Sequence, residues 1–128
     1  IMSSTTTLPG NSQFISLDKA IEMTKLYRDG KEKILAPEYK DQNILLLSET
    51  FSREAFDSLL SQPDCAGIRI YFGMDEAMTV RVIAVATNKD NADILPSADK
   101  DGETEEGDIV EQGQQCPNFC PPPSPLNE

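Results

Sequence analysis

Cys65-Ala-Gly-Ile68-Arg-Ile70-Tyr-Phe72-Gly73, then Met-Asp-Glu-Ala, then Met78-Thr-Val80-Arg-Val82-Ile-Ala84-Val-Ala86-Thr87 is the stretch whose reading decides the fold. Two runs dense in β-branched and aromatic residues flank a polar connection of about four residues, which is the pattern of a β-hairpin. Alternation puts Ile68, Ile70 and Phe72 on one face of the first strand, with Arg69 and Tyr71 on the other. In the second strand Val80, Val82, Ala84 and Ala86 share a face, opposite Arg81, Ile83 and Val85. A sheet with one apolar face needs a cover.

Two amphipathic segments upstream supply candidates. Ser16 is a helix N-cap with Ile15 placed to staple onto Ala20, and Leu17, Ala20, Ile21, Thr24 and Tyr27 fall on one stripe before Asp29-Gly30 ends the run. Ser52 caps a second helix, predicted over Arg53 to Leu60, with Phe51 and Phe56 in staple positions and Ala55, Phe56, Leu59 and Leu60 turned inward. Pro63 stops it. Between the helices, Asn43-Ile-Leu-Leu-Leu47 fits a short buried strand or an extended leg, and a strand is the preferred expectation. The fold class expected is α+β: a small antiparallel sheet centred on the 67–87 hairpin and covered by two helices.

The remaining chain divides by composition. Residues 1–14 form an extended arm, 15–87 the α+β body, 88–111 an acidic loop or linker and 112–128 a Cys- and Pro-rich tail. Of the 128 residues, 38% are hydrophobic, none is tryptophan and nine are proline, so the core is thin. The net charge of −11 is uneven: residues 1–88 hold nine Lys/Arg against twelve Asp/Glu, whereas 89–111 hold two against nine. No basic face is available to neutralise phosphates or to seek an anionic bilayer, so neither nucleic acid nor membrane is an expected partner. The chain is expected to be soluble, in the cytoplasm or secreted after loss of an N-terminal segment. Ile109-Val110 is a candidate edge strand, and the prolines after Cys120 favour polyproline II.

Three groups carry candidate chemistry. Cys116-Pro-Asn-Phe-Cys120 has three residues between its sulfurs, one more than thioredoxin-like motifs, and no helix follows to lower a thiol pKa. A structural disulfide is the first reading of the pair; free thiols, redox chemistry and a zinc site that adds Cys65 and a carboxylate are the others. Ser97 to Asp108 imitates a calcium loop through Asp99, Asp101, Glu103 and Asp108, with Gly102 at the turn. It departs from that pattern at its first and last positions, and a solvated acidic linker is the plainer reading. Arg69, Tyr71 and Arg81 make a small patch on the outer face of the hairpin, suited to a partner's acids. With no histidine in the chain the commonest general base is missing, so no catalytic residue is expected.

On Phe51-Ser-Arg-Glu-Ala-Phe56-Asp-Ser-Leu-Leu60, Gln62-Pro-Asp-Cys65-Ala-Gly67-Ile-Arg69-Ile-Tyr71-Phe-Gly73 and Cys116-Pro-Asn-Phe-Cys120 with Leu126-Asn127, the chain resembles a widespread group of short, uncharacterised Bacteroidota proteins. The likeness covers roughly residues 15–127, with a longer acidic insert at 88–108. It carries no activity. It implies that Cys65 and the tail belong to one design.

The expectation is a non-enzymatic interaction or self-assembly module, without cofactor, whose arm and tail contact copies of itself or another protein. The alternative is a thiol-redox or metal-binding protein centred on Cys116 and Cys120.

Overall fold

The computed structural model describes residues 13–96 and 109–128. In chain order the elements are α1 (Leu17–Gly30), a 3-10 turn at Pro37–Tyr39, β1 (Ser48–Thr50), α2 (Arg53–Leu60), β2 (Gly67–Met74), β3 (Val80–Thr87), β4 (Asp93–Ile94), β5 (Ile109–Val110) and β6 (Gln114–Cys116). Two helices with small antiparallel sheets make this an α+β protein. The described residues fall into two compact units.

One unit draws on Phe51–Gly73 and Val82–Gly113. Its helix α2 starts where local chemistry dictates. The Ser52 hydroxyl accepts from Ala55 N at 3.1 Å, and the rings of Phe51 and Phe56 stack 5.7 Å apart across the first turn. The helix buries Leu59 completely against Ala84 and Ala86, with Phe56, Cys65, Ile68, Ile94 and Val110 around them. Strand β3 is central. It neighbours β2 on one side and pairs on the other with β4 (Ala86↔Ile94, Thr87↔Asp93) and β5 (Ala84↔Val110, Val85↔Ile109). The described residues of the stretch expected as an acidic linker thus include two short strands, β4 and β5.

Two inward assignments in this unit are corrected. Leu60 is exposed, about 100° round the helix from the fully buried Leu59. Ile70 and Phe72 are exposed as well, and of the predicted apolar face of β2 only Ile68 packs on the core. Length explains this: an eight-residue helix spans about 12 Å, while an eight-residue strand spans about 27 Å. At Gly73 a Cβ would lie 2.9 Å from Ile83 Cδ1, so glycine is what permits that approach.

The other unit draws on Asn11–Thr50, Met74–Arg81 and Gln114–Glu128. Here α1 begins at Ser16, whose hydroxyl accepts from Lys19 N at 3.0 Å. No residue of α1 is fully buried: Ala20, Ile21 and Thr24 of the predicted stripe are half-buried, while Leu17 and Tyr27 are exposed. The run 43–47 is not a strand, contrary to expectation. Asp41 and Asn43 have positive φ (61° and 56°), which breaks an extended path before it starts. Ile44 is buried and its carbonyl accepts from Val80 N at 2.8 Å. The strand begins one step later, where β1 pairs antiparallel with β6 (Ser48↔Cys116, Glu49↔Gln115, Thr50↔Gln114).

The hairpin turn at residues 75–79 is organised by one carboxylate. Asp75 Oδ1 accepts from Ala77 N and Thr79 N, Met78 N donates to Asp75 O at 2.9 Å, and Met78 sits at φ 68°. A left-handed non-glycine residue carries roughly 1–2 kcal/mol of strain. Met78→Gly is therefore expected to raise stability by about 0.5–1 kcal/mol after the entropy of the added glycine is subtracted. Urea unfolding of the two proteins reads this as a later midpoint at unchanged m-value.

Candidate functional site

The tail is the most heavily tied segment of its unit. Strand β6 leads into the disulfide Cys116–Cys120, whose Cα atoms are 4.4 Å apart and whose Cys116 half is buried. Leu47 N donates to Cys116 O at 2.8 Å, and Phe119 N closes back on Gln115 O at 2.7 Å. The peptide bonds Cys116-Pro117 and Pro117-Asn118 are cis. After the prolines, residues 124–127 form a small knot. Asn127 Oδ1 accepts from Ser124 N at 2.9 Å, Asn127 Nδ2 donates to Pro122 O at 3.2 Å, and Ser124 Oγ accepts from Leu126 N at 3.2 Å. Such Asx-type bonding folds a proline-rich segment that has few backbone donors of its own.

Helix α1 grips this knot. Arg28 Nη1 donates to Leu126 O at 2.9 Å and Nη2 donates to Glu128 O, a charge-assisted fork on two main-chain carbonyls. From the preceding residue, the Tyr27 hydroxyl donates to Leu46 O at 2.6 Å. Burial, followed by the charge of Glu32, pushes the Tyr27 pKa up. Between α1, β1 and the tail lies a groove of about 580 Å³, walled by Met23, Tyr27, Leu47, Pro121, Pro122 and Leu126. Beside it Met23 and Leu26 stand exposed on α1, and Phe119 stands exposed on the disulfide loop.

The predicted hairpin patch separates in the structure. Arg69 and Tyr71 converge on Asp93: Arg69 Nη1 donates to Asp93 Oδ1, its Nη2 donates to Asn91 O at 2.9 Å, and the Tyr71 hydroxyl donates to Asp93 Oδ2. For Arg69, burial opposes the charge, but the hydrogen bond and negative charge of Asp93 outweigh it and raise the pKa. The same carboxylate, first through its hydrogen bond, raises the pKa of Tyr71. Arg81 does not join them, which corrects its placement on an exposed face. It is buried, with Nη2 2.8 Å and Nε 3.3 Å from Glu49 Oε2 and Nη1 3.9 Å from Asp75.

A pH dependence follows from Tyr71. Its folded pKa lies above the 10.0 of an unstructured tyrosine, so its contribution to stability is complete below about pH 10 and is lost as pH climbs through the folded value. Tyr27 acts in the same direction. In a spectrophotometric titration, tyrosinate is expected to form later in the folded than in the urea-unfolded protein. Tyr71→Phe is expected to remove part of that lag.

Cys65 is a half-buried free thiol whose Sγ donates to Gly67 O at 3.4 Å. The three-cysteine zinc set is thus not assembled, since Cys116 and Cys120 are bonded to each other and offer no thiolate. Among the described residues no three Cys, Asp or Glu side chains gather as a metal site. The calcium-loop candidate Asp99, Asp101, Glu103 and Asp108 lies outside the described residues. Among the described residues no helix is long and apolar enough to cross a membrane.

No family model, curated protein or solved structure matches the chain.

The partners Asp93, Glu49 and Arg28 were not singled out from sequence. Asp93 lies in the acidic 88–111 stretch, where nothing local sets it apart. Nothing local to Arg28 points to the tail. Their roles depend on contacts 22 to 100 residues away along the chain.

Proposed function

We propose that the protein is a non-enzymatic interaction module that assembles with copies of itself, and that the tail with the flank of α1 forms its contact face. The observation that carries this is the tying of the tail: a strand pairing, a disulfide and the Arg28 fork hold a proline-rich segment against a helix whose apolar side chains remain uncovered. Ordering such a segment costs conformational entropy, and a surface ordered in advance loses less of it on association. A disulfide of this kind persists in oxidising surroundings, which favours an extracytoplasmic location. Kinship with the short Bacteroidota proteins is proposed on the same residues, because Leu126 and Asn127 belong to the knot that closes the tail.

Multi-angle light scattering of the full chain tests self-assembly. A mass above 14.1 kDa that rises with concentration is expected, and paired Cys116→Ser and Cys120→Ser substitutions are expected to lower it. A monomer at every concentration overturns the proposal.

A second reading, a thiol-redox or metal protein, is favoured by the disulfide itself, since reduction would release two thiolates for exchange or for zinc. Alkylation with and without prior reduction, together with metal analysis of the reduced protein, tests it. Zinc retained after reduction, or rapid reversible reduction near the glutathione potential, would favour it over a structural bridge.

A further inference from the structure

Gly67-Ile68-Arg69-Ile70-Tyr71-Phe72-Gly73 is close to a chemical palindrome: glycine at each end, then a large apolar residue, then a polar-tipped one, with Ile70 at the centre. The segment lies in β2, at the edge of its sheet, with β3 on one side and no strand on the other among the described residues. At eight residues β2 is longer than most strands and presents a correspondingly long row of backbone groups. It carries no proline and no lysine, and its one charge, Arg69, is already paired with Asp93 of the same copy. Ile70 and Phe72 are exposed on one face, Phe72 to 77%.

We propose that β2 pairs antiparallel with β2 of a second copy about a two-fold axis through Ile70. This rests on the self-assembly reading above and supplies an interface for it. In this register Ile70 meets Ile70, Ile68 meets Phe72 of the second copy, and the apolar face continues across the junction. Arg69 falls opposite Tyr71 of the second copy, and both side chains are turned back over the sheet to Asp93 within their own copy, so no like charges meet at the junction. Centring on Arg69 instead would set arginine against arginine, and centring on Tyr71 would leave Arg69 opposite Gly73. Charge selects the strand as well as the register. Two chains of net charge −11 repel over most of their surfaces, and residues 67–74 bring no acid to the junction. A two-fold pairing of this type closes at the dimer.

Sedimentation equilibrium of the full chain, with Ile70→Lys and Phe72→Lys variants, tests this. The wild type is expected at twice 14.1 kDa, with association weakened about tenfold or more in each variant, since like charges then face each other or flank the axis. Both substituted side chains are exposed, Phe72 the more so. The wild type alone gives an independent readout: hydrogen exchange at residues 68–72 is expected to slow as concentration rises. Association that is equal in wild type and both variants, or exchange at 68–72 that ignores concentration, overturns β2 pairing and leaves self-assembly through the tail standing. A wild type that stays at 14.1 kDa throughout overturns both.

Discussion

Leu59→Ala is expected to cost about 3 kcal/mol of stability, within the 2–5 kcal/mol typical of a fully buried leucine. The size follows from what surrounds the side chain. Leu59 is 0% exposed and rests on Ala84 and Ala86, whose single methyl groups have no reach with which to fill the space it leaves. Cavity creation is thus added to the lost transfer energy, because the backbone of β3, paired on both sides, cannot collapse inward. Urea unfolding of wild type and variant measures the difference. Leu60→Ala, one position on and exposed, is the control and should change stability by less than about 1 kcal/mol.

Glu49→Ala is the second large effect, expected at about 3 kcal/mol. Its side chain is 4% exposed and that of Arg81 is 11% exposed, and the two meet at 2.8 Å. Removing the carboxylate takes the 2.8 Å partner from a buried guanidinium, and an arginine cannot shed its proton to escape. The pair itself is a different matter from its rupture. Replacing both partners, as in Glu49→Leu with Arg81→Met, is expected to recover most of the loss, because two desolvation costs vanish together. Thermal denaturation of the single and double variants separates the alternatives. Additive losses in the double variant would show that the two residues act independently.

How much of this was legible in the sequence depended on distance along the chain. Both helices were readable to the residue because their signals are local: Ser16 and Ser52 bond amides three positions ahead, and Phe51 meets Phe56 within one turn. The hairpin was readable for the same reason, its turn being closed by Asp75 over four residues. What failed depended on remote partners. Arg81 looked like a surface residue because Glu49, 32 positions earlier, gives no sign in the sequence that it will be buried with it. The apolar run Ile44 to Leu47 looked like a strand, yet the ladder is made by polar Ser48–Thr50 with Gln114–Cys116, because pairing belongs to the backbone and needs no apolar side chain. The cysteine spacing admitted a disulfide without requiring one, and the structure supplies it.

The fork from Arg28 to Leu126 and Glu128 also bears on how the molecule reaches its fold. Its donors and acceptors are 98 and 100 residues apart, so closing that contact on an otherwise open chain would cost on the order of 4 kcal/mol in loop entropy. The β1 with β6 pairing, joined over 66 residues at its Glu49↔Gln115 step, shortens the remaining loop before the fork can form. Helix α1 is then complete long before its clasp arrives, because Arg28 has nothing to hold until residues 126–128 have been made. Long-range closure of this kind is the slow element in a small fold.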